Sequence, residues 1–121
     1  GMQAIVQLLS TMVVNDCGAF LELEVTSEKD AIVAATTWKQ RQDEEQVPQL
    51  VLMLDNFGPE RSKEMVRELT EMGLRDAAVL EASGNIVFED LEAWRECGVD
   101  VLSTSAINLG SAPLDVSMLI D

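Results

Sequence analysis

The chain has 121 residues, 47% hydrophobic and 25% charged, with 22 acids, 8 bases and no histidine, for a net charge of -14. That is the size of one domain, and the acidity argues against nucleic acid or an anionic membrane surface as partner, since both are held by clustered Lys and Arg. Without histidine there is no Ser-His-Asp triad, Cys-His pair or His-containing zinc site, and the two cysteines, Cys17 and Cys97, are too few for a disulfide scaffold or a four-thiolate metal site.

Apolar spacing predicts the elements in chain order. Met2 to Val14 reads as a helix with Ile5, Leu8, Leu9, Met12 and Val13 on one side, broken by Asn15 to Gly18. Ala19 to Val25 reads as a strand with Glu22 and Glu24 alternating between apolar residues. Ser27 and Asp30 have capping-box spacing, so a helix is expected from Glu28 to about Lys39, followed by a polar loop from Gln40 to Gln49.

Leu50 to Leu54 is wholly apolar, as in a strand buried on both faces, and ends in Asp55. Gly58-Pro59 opens a helix whose inner face is Met65, Val66, Leu69 and Met72, with Gly73 as its stop. Ala77 to Leu80 is another strand, ending in Glu81-Ala82-Ser83-Gly84-Asn85. A helix from Phe88 to Cys97, a strand from Val99 to Leu102, a turn from Ser103 to Asn108 and a last helix from Ser111 or Pro113 through Leu119 complete the reading.

Strands alternating with helices define an α/β fold, here a partial (β/α) barrel or a short open sheet of about four parallel strands. No apolar run approaches the ~20 residues that span a bilayer, and no signal-peptide pattern opens the chain, so the cytoplasm is expected.

Ligands of parallel α/β folds bind outside the carboxyl ends of the strands. Those ends carry Glu24, Asp55, Glu81 with Ser83-Gly84-Asn85, and the Ser103–Asn108 turn. Three carboxylates sharing one mouth repel one another and call for a cation or hydroxyl donors, such as Mg²⁺ or a sugar diol. Ser83-Gly84-Asn85 is placed to offer backbone N–H groups, and a following helix N-terminus, to an anion. Trp38, Trp94, the methionines and Cys97 read as packing residues.

A set of motifs also resembles a known family. Leu21-Glu22-Leu23-Glu24-Val25, Met53-Leu54-Asp55-Asn56-Phe57 with Pro59-Glu60, Leu80-Glu81-Ala82-Ser83-Gly84-Asn85-Ile86, Gly98-Val99-Asp100 and Ala112 to Ile120 are similar, in order and spacing, to the C-terminal part of quinolinate phosphoribosyltransferase. That enzyme, also called nicotinate-nucleotide pyrophosphorylase (carboxylating), joins quinolinate to phosphoribosyl pyrophosphate, releasing carbon dioxide and pyrophosphate and giving nicotinate mononucleotide for NAD synthesis.

The resemblance implies an incomplete α/β barrel with Mg²⁺ as cofactor. It implies Glu24 and Asp55 at the ribose hydroxyls and the Mg²⁺-pyrophosphate end, Ser83, Gly84 and Asn85 at the 5′-phosphate, and Glu81 supporting that turn. It also marks departures. The family chain is more than twice as long, and the segments ahead of this one carry the basic residues that clamp quinolinate. Ser105 stands where the family usually has a glycine, adding a Cβ and a hydroxyl beside the phosphate.

This chain's bases are Lys29, Lys39, Arg41, Arg61, Lys63, Arg67, Arg75 and Arg95, all expected away from the strand ends. Anionic reactants at an acidic mouth without a fixed cation face several kcal/mol of repulsion (roughly 4 per close pair) at an effective dielectric near 20. A truncated family member that binds phosphoribosyl pyrophosphate or another phosphorylated small molecule, without turning over quinolinate alone, is therefore expected. The alternatives are a non-catalytic scaffold that keeps the fold, or a molybdenum-transport-associated relative. Open sheet edges lead to a homo-oligomer as the expected assembly.

Overall fold

The computed structural model describes residues 1–12, 18–110 and 118. Among them the elements run α1 (Met2–Thr11), β1 (Phe20–Val25), α2 (Glu28–Glu44), β2 (Gln49–Asp55) and α3 (Gly58–Glu71). A 3₁₀ turn (Arg75–Ala77) leads into β3 (Ala78–Ser83), and another (Phe88–Asp90) into α4 (Leu91–Trp94), β4 (Val101–Ser103) and α5 (Ala106–Leu109). The expected last helix and Cys17 lie outside the described residues.

The four strands form one parallel sheet in the order β1-β2-β3-β4. Side chains alternate across a sheet, and the register sorts them into two sets. Val25 pairs with Leu54 and Leu54 with Ala82, while Leu23, Leu52 and Leu80 form the row below. All but Ala82 pack with Ala31, Ala34, Ala35 and Trp38 of α2 and Met65 and Leu69 of α3. Glu22, Glu24, Val51, Met53, Asp55, Val79, Glu81 and Ser83 point the other way and remain partly or fully exposed.

β2 is therefore buried on one face only, with Leu50, Leu52 and Leu54 inside and Val51 and Met53 half-buried. Its continuous apolar run hides an alternation that burial makes plain. α1 also differs in its packing: Leu9 is fully buried and Ile5 half-buried, but Leu8 is 49% exposed. Met72, expected inside, is 53% exposed because α3 ends at Glu71 and the chain turns at Gly73, whose φ is +68°.

The expected loop after Lys39 is instead the last turn of α2, which runs to Glu44. Its polar side chains have partners. Lys39 pairs with Asp43 at 2.6 Å and Arg41 with Glu45 at 2.6 Å, both at the i,i+4 spacing that supports a helix. Arg41 also donates to the carbonyls of Leu9 (2.8 Å) and Met12 (2.9 Å), satisfying the open end of α1. Gln42 reaches the carbonyl of Ala77 at 3.2 Å.

β4 begins at Val101 rather than Val99, and Asp100 supplies the reason. Its N–H donates to the Leu80 carbonyl (2.9 Å), while its carboxylate accepts from the Leu80 N–H (2.8 Å). That carboxylate stands where a carbonyl two residues back would otherwise extend the ladder. The displaced Gly98 carbonyl accepts from Arg75 at 3.0 Å, and Arg75 also pairs with Asp100 at 2.8 Å. Burial pushes the Asp100 carboxyl up, but Arg75 and the Leu80 N–H outweigh it and hold the group below the usual carboxylate range.

The expected helix from Phe88 to Cys97 contracts to a 3₁₀ turn and a single α turn. The Arg95 N–H is shared between Leu91 and Glu92, and Cys97 donates to Trp94, so the backbone tightens to i→i−3 bonding. Trp94 and Cys97 are its buried anchors, with Ala82 and Ile86.

Candidate functional site at the strand carboxyl ends

Register brings the predicted site residues onto the open face. Glu24 lies opposite Met53, and Met53 opposite Glu81. One pleat further on, Asp55 lies opposite Ser83, and Ser83 opposite Ser103. With strands about 4.8 Å apart and about 3.3 Å of rise per residue, Asp55 sits roughly 8 Å diagonally from Glu24 and from Glu81, measured between Cα atoms.

Their surroundings differ. Glu24 is exposed and makes no side-chain hydrogen bond among the described residues. Asp55 is half-buried and accepts from the Asn56 side-chain amide at 2.9 Å. Glu81, half-buried, accepts from the Ser103 hydroxyl and so joins β3 to β4 beneath the turn.

Beyond β3 and β4 the chain encloses a pocket of about 370 Å³ lined by Ser83, Gly84, Asn85, Ile86, Ser103, Thr104, Ser105 and Asn108. Its lining is uncharged and rich in hydroxyl, amide and backbone donors. The two turns are tied together by Thr104, whose hydroxyl donates to the Ile86 carbonyl and accepts from the Ala106 N–H (3.0 Å). The carbonyl of Ser105 accepts from Asn108 and Leu109. Among the described residues, no protein acceptor takes the N–H groups of Gly84, Asn85 or Ser105.

One local expectation changes. The element behind the Ser83–Asn85 turn is a 3₁₀ turn carrying Glu89 and Asp90, too short and too acidic to draw an anion by its dipole. Ser105 has φ −87° and ψ −2°, ordinary right-handed values. Sequence reasoning gave no role to Asn56, Thr104 or Asn108. The signal was present for Asn56, an asparagine directly after a strand-end carboxylate, a setting that favours left-handed backbone.

The bases stay out of this pocket. Arg61 stands over the Phe57 ring, 4.2 Å from its centre, and pairs with Glu28 at 2.8 Å. That hydrogen bond holds the Glu28 carboxyl below its ordinary value. Arg67 bridges Glu64 and Glu71, Arg75 pairs with Asp100, and Arg95 lies 3.6 Å from Glu92. Among the described residues no three His, Cys, Asp or Glu side chains converge to cage a metal. Glu24 and Asp55 stand on one face of the sheet but diagonally apart.

The fold is a parallel α/β sheet with three carboxylates on its open face and an uncharged, donor-rich pocket at its strand ends. The chain belongs to the quinolinate phosphoribosyl transferase family: the model of that family's C-terminal domain matches residues 2–119. It is 34% identical over 100 residues to the probable nicotinate-nucleotide pyrophosphorylase [carboxylating] of Methanothermobacter thermautotrophicus, covering 83% of this chain and 32% of the relative. To the protein of the same name in Archaeoglobus fulgidus it is 36% identical over 100 residues, covering 83% and 35%. The chain thus aligns with about a third of the length of these relatives. Among the described residues no helix is long and apolar enough to cross a membrane.

Proposed function

We propose that this chain forms the phosphoribosyl-binding part of a quinolinate phosphoribosyltransferase site, acting in NAD synthesis in the cytoplasm. The observation that supports this reading is the uncharged pocket between the β3 and β4 turns, standing beside Asp55 on the face that also carries Glu24 and Glu81. In the proposal, Ser83, Gly84, Asn85 and Ser105 donate to the 5′-phosphate of phosphoribosyl pyrophosphate. Glu24 and Asp55 accept from the ribose hydroxyls and face the Mg²⁺ that accompanies the diphosphate as part of the substrate. Glu81 keeps the β3 turn in place through Ser103.

Departure of pyrophosphate leaves positive charge on the ribose, which nearby carboxylates stabilise, while Mg²⁺ neutralises the leaving group. Quinolinate is a different matter. Its two carboxylates need fixed cations, and this chain's arginines are engaged by Glu28, Glu45, Glu64, Glu71, Glu92 and Asp100. The chain alone therefore binds phosphoribosyl pyrophosphate without turning over quinolinate. β1 and β4, at the two edges of the sheet, are the surfaces through which copies associate.

Calorimetric titration with Mg²⁺ and phosphoribosyl pyrophosphate tests the reading. Saturable binding that is lost in Asp55→Ala is expected. Absence of heat would reject the binding role and leave a fold without ligand chemistry. Nicotinate mononucleotide formed by the purified chain alone would contradict the electrostatic part.

A further inference from the structure

Two asparagines hold left-handed backbone: Asn56, φ 55°, directly after β2, and Asn85, φ 54°, in the turn after β3. That conformation costs a non-glycine residue roughly 1 kcal/mol or more unless local hydrogen bonds offset it. Asn56 makes three such bonds, each to a different part of the site. Its N–H donates to the Ser83 carbonyl at 2.9 Å, its Nδ2 to Asp55 Oδ1 at 2.9 Å, and its Oδ1 accepts from Asn85 Nδ2 at 2.9 Å.

The turn also closes onto this side chain. A Cβ at Gly84, where φ is +93°, would stand 2.3 Å from Asn56 Oδ1 and 2.6 Å from its Cγ. The missing side chain at Gly84 is thus accounted for by Asn56, before any ligand is considered. Donor and acceptor are both required at position 56. An aspartate would have no amide to donate and would set a second carboxylate against Asp55.

We infer that Asn56 is a positioning residue that locks the Ser83–Asn85 turn to Asp55, so that the anion end and the carboxylate end of the pocket keep a fixed spacing. The consequence for binding rests on the proposed phosphoribosyl role, whereas the lock belongs to the free protein.

Asn56→Gly keeps the positive φ and removes only the amide side chain, and Asn85→Gly removes one of the same bonds from an exposed position. Amide resonances of Gly84 and Asn85 are followed in free Asn56→Gly, and that of Asn56 in free Asn85→Gly, with Leu80 and Asp100 reporting the fold. Inorganic phosphate is then titrated into each protein. The lock predicts displaced turn resonances beside unchanged Leu80 and Asp100, and phosphate affinity about tenfold weaker, which one lost hydrogen bond of ordinary strength can account for. It also predicts that the double variant binds no more weakly than Asn56→Gly.

Unmoved turn resonances, or losses that multiply in the double variant, would overturn the inference. If Asn56→Gly does not fold, Asn85→Gly alone decides by whether the Asn56 amide moves. If phosphate leaves the unaltered chain undisturbed while the turn resonances still shift, the lock stands and the proposed binding role falls.

Discussion

On one face of the sheet Leu50, Leu52, Leu54, Leu80 and Ala82 are fully buried, while Val51, Met53, Val79 and Glu81, one residue away on the same strands, remain partly exposed. The backbone is shared, so the difference lies in what packs against each face. Helices α2 and α3 cover the first with Ala31, Ala34, Ala35, Trp38, Met65 and Leu69. The second carries the carboxylates, with Phe20 54% exposed at one edge and Val101 41% exposed at the other. A period of two residues thus separates the part that holds the fold from the part that presents chemistry.

The sharpest way to break this comparison is to shorten one side chain on each face. Leu52→Ala empties fully buried volume and should cost about 3 kcal/mol of unfolding free energy. Met53→Ala, its neighbour on the open face, should cost less than about 1 kcal/mol in the same urea titration, because its side chain already meets solvent. Equal losses would show that the two faces are packed alike.

A smaller effect sharpens the comparison at the other end of the sheet, where charge serves the fold instead of the site. Asp100→Asn removes the anion that holds Arg75 and the Leu80 N–H, at a cost of about 1 kcal/mol given the partial exposure of the pair. The pH dependence has a definite sign. A carboxyl held below its unfolded value stabilises the fold above the unfolded pKa and loses that contribution as pH falls through the folded one. Acid unfolding curves of the parent and Asp100→Asn should therefore differ above the ordinary aspartate pKa of about 3.9 and converge only once the pH has fallen below the lowered folded-state value. Curves that stay parallel would remove Asp100 from this role.

Much of this organisation was legible in the sequence. The alternation of Phe20 to Val25 shows a half-buried strand directly, and the Ser27 cap is found as expected, its hydroxyl accepting from the Asp30 N–H at 3.2 Å. Strand-end position alone points to Glu24 and Asp55; Glu81, expected just past a strand ending at Leu80, instead lies inside β3, which runs on to Ser83, and the register puts all three on one face. Leu50 to Leu54 misled because an apolar residue occupies the open face too, and periodicity cannot tell a covered valine from an uncovered one. The last turn of α2 was hidden because Arg41 and Gln42 find partners 29 or more residues away in sequence. For Asn56 the left-handed backbone is signalled by its place directly after Asp55, but its partner Asn85 lies 29 residues on and has no local signal. Ser62, buried in α3 with its hydroxyl unpartnered among the described residues, had no sequence signal either.

The central claim is that ligand chemistry belongs to the open face and its two turns, with the helix-covered face serving only as support. Residue-resolved amide and methyl resonances during titration with Mg²⁺ and phosphoribosyl pyrophosphate test it most directly. The account predicts shifts at Glu24, Asp55, Ser83, Gly84, Asn85 and Ser105, and silence at Leu52, Ala34 and Leu69. Shifts centred on α2 and α3, or none at the two turns, would contradict it.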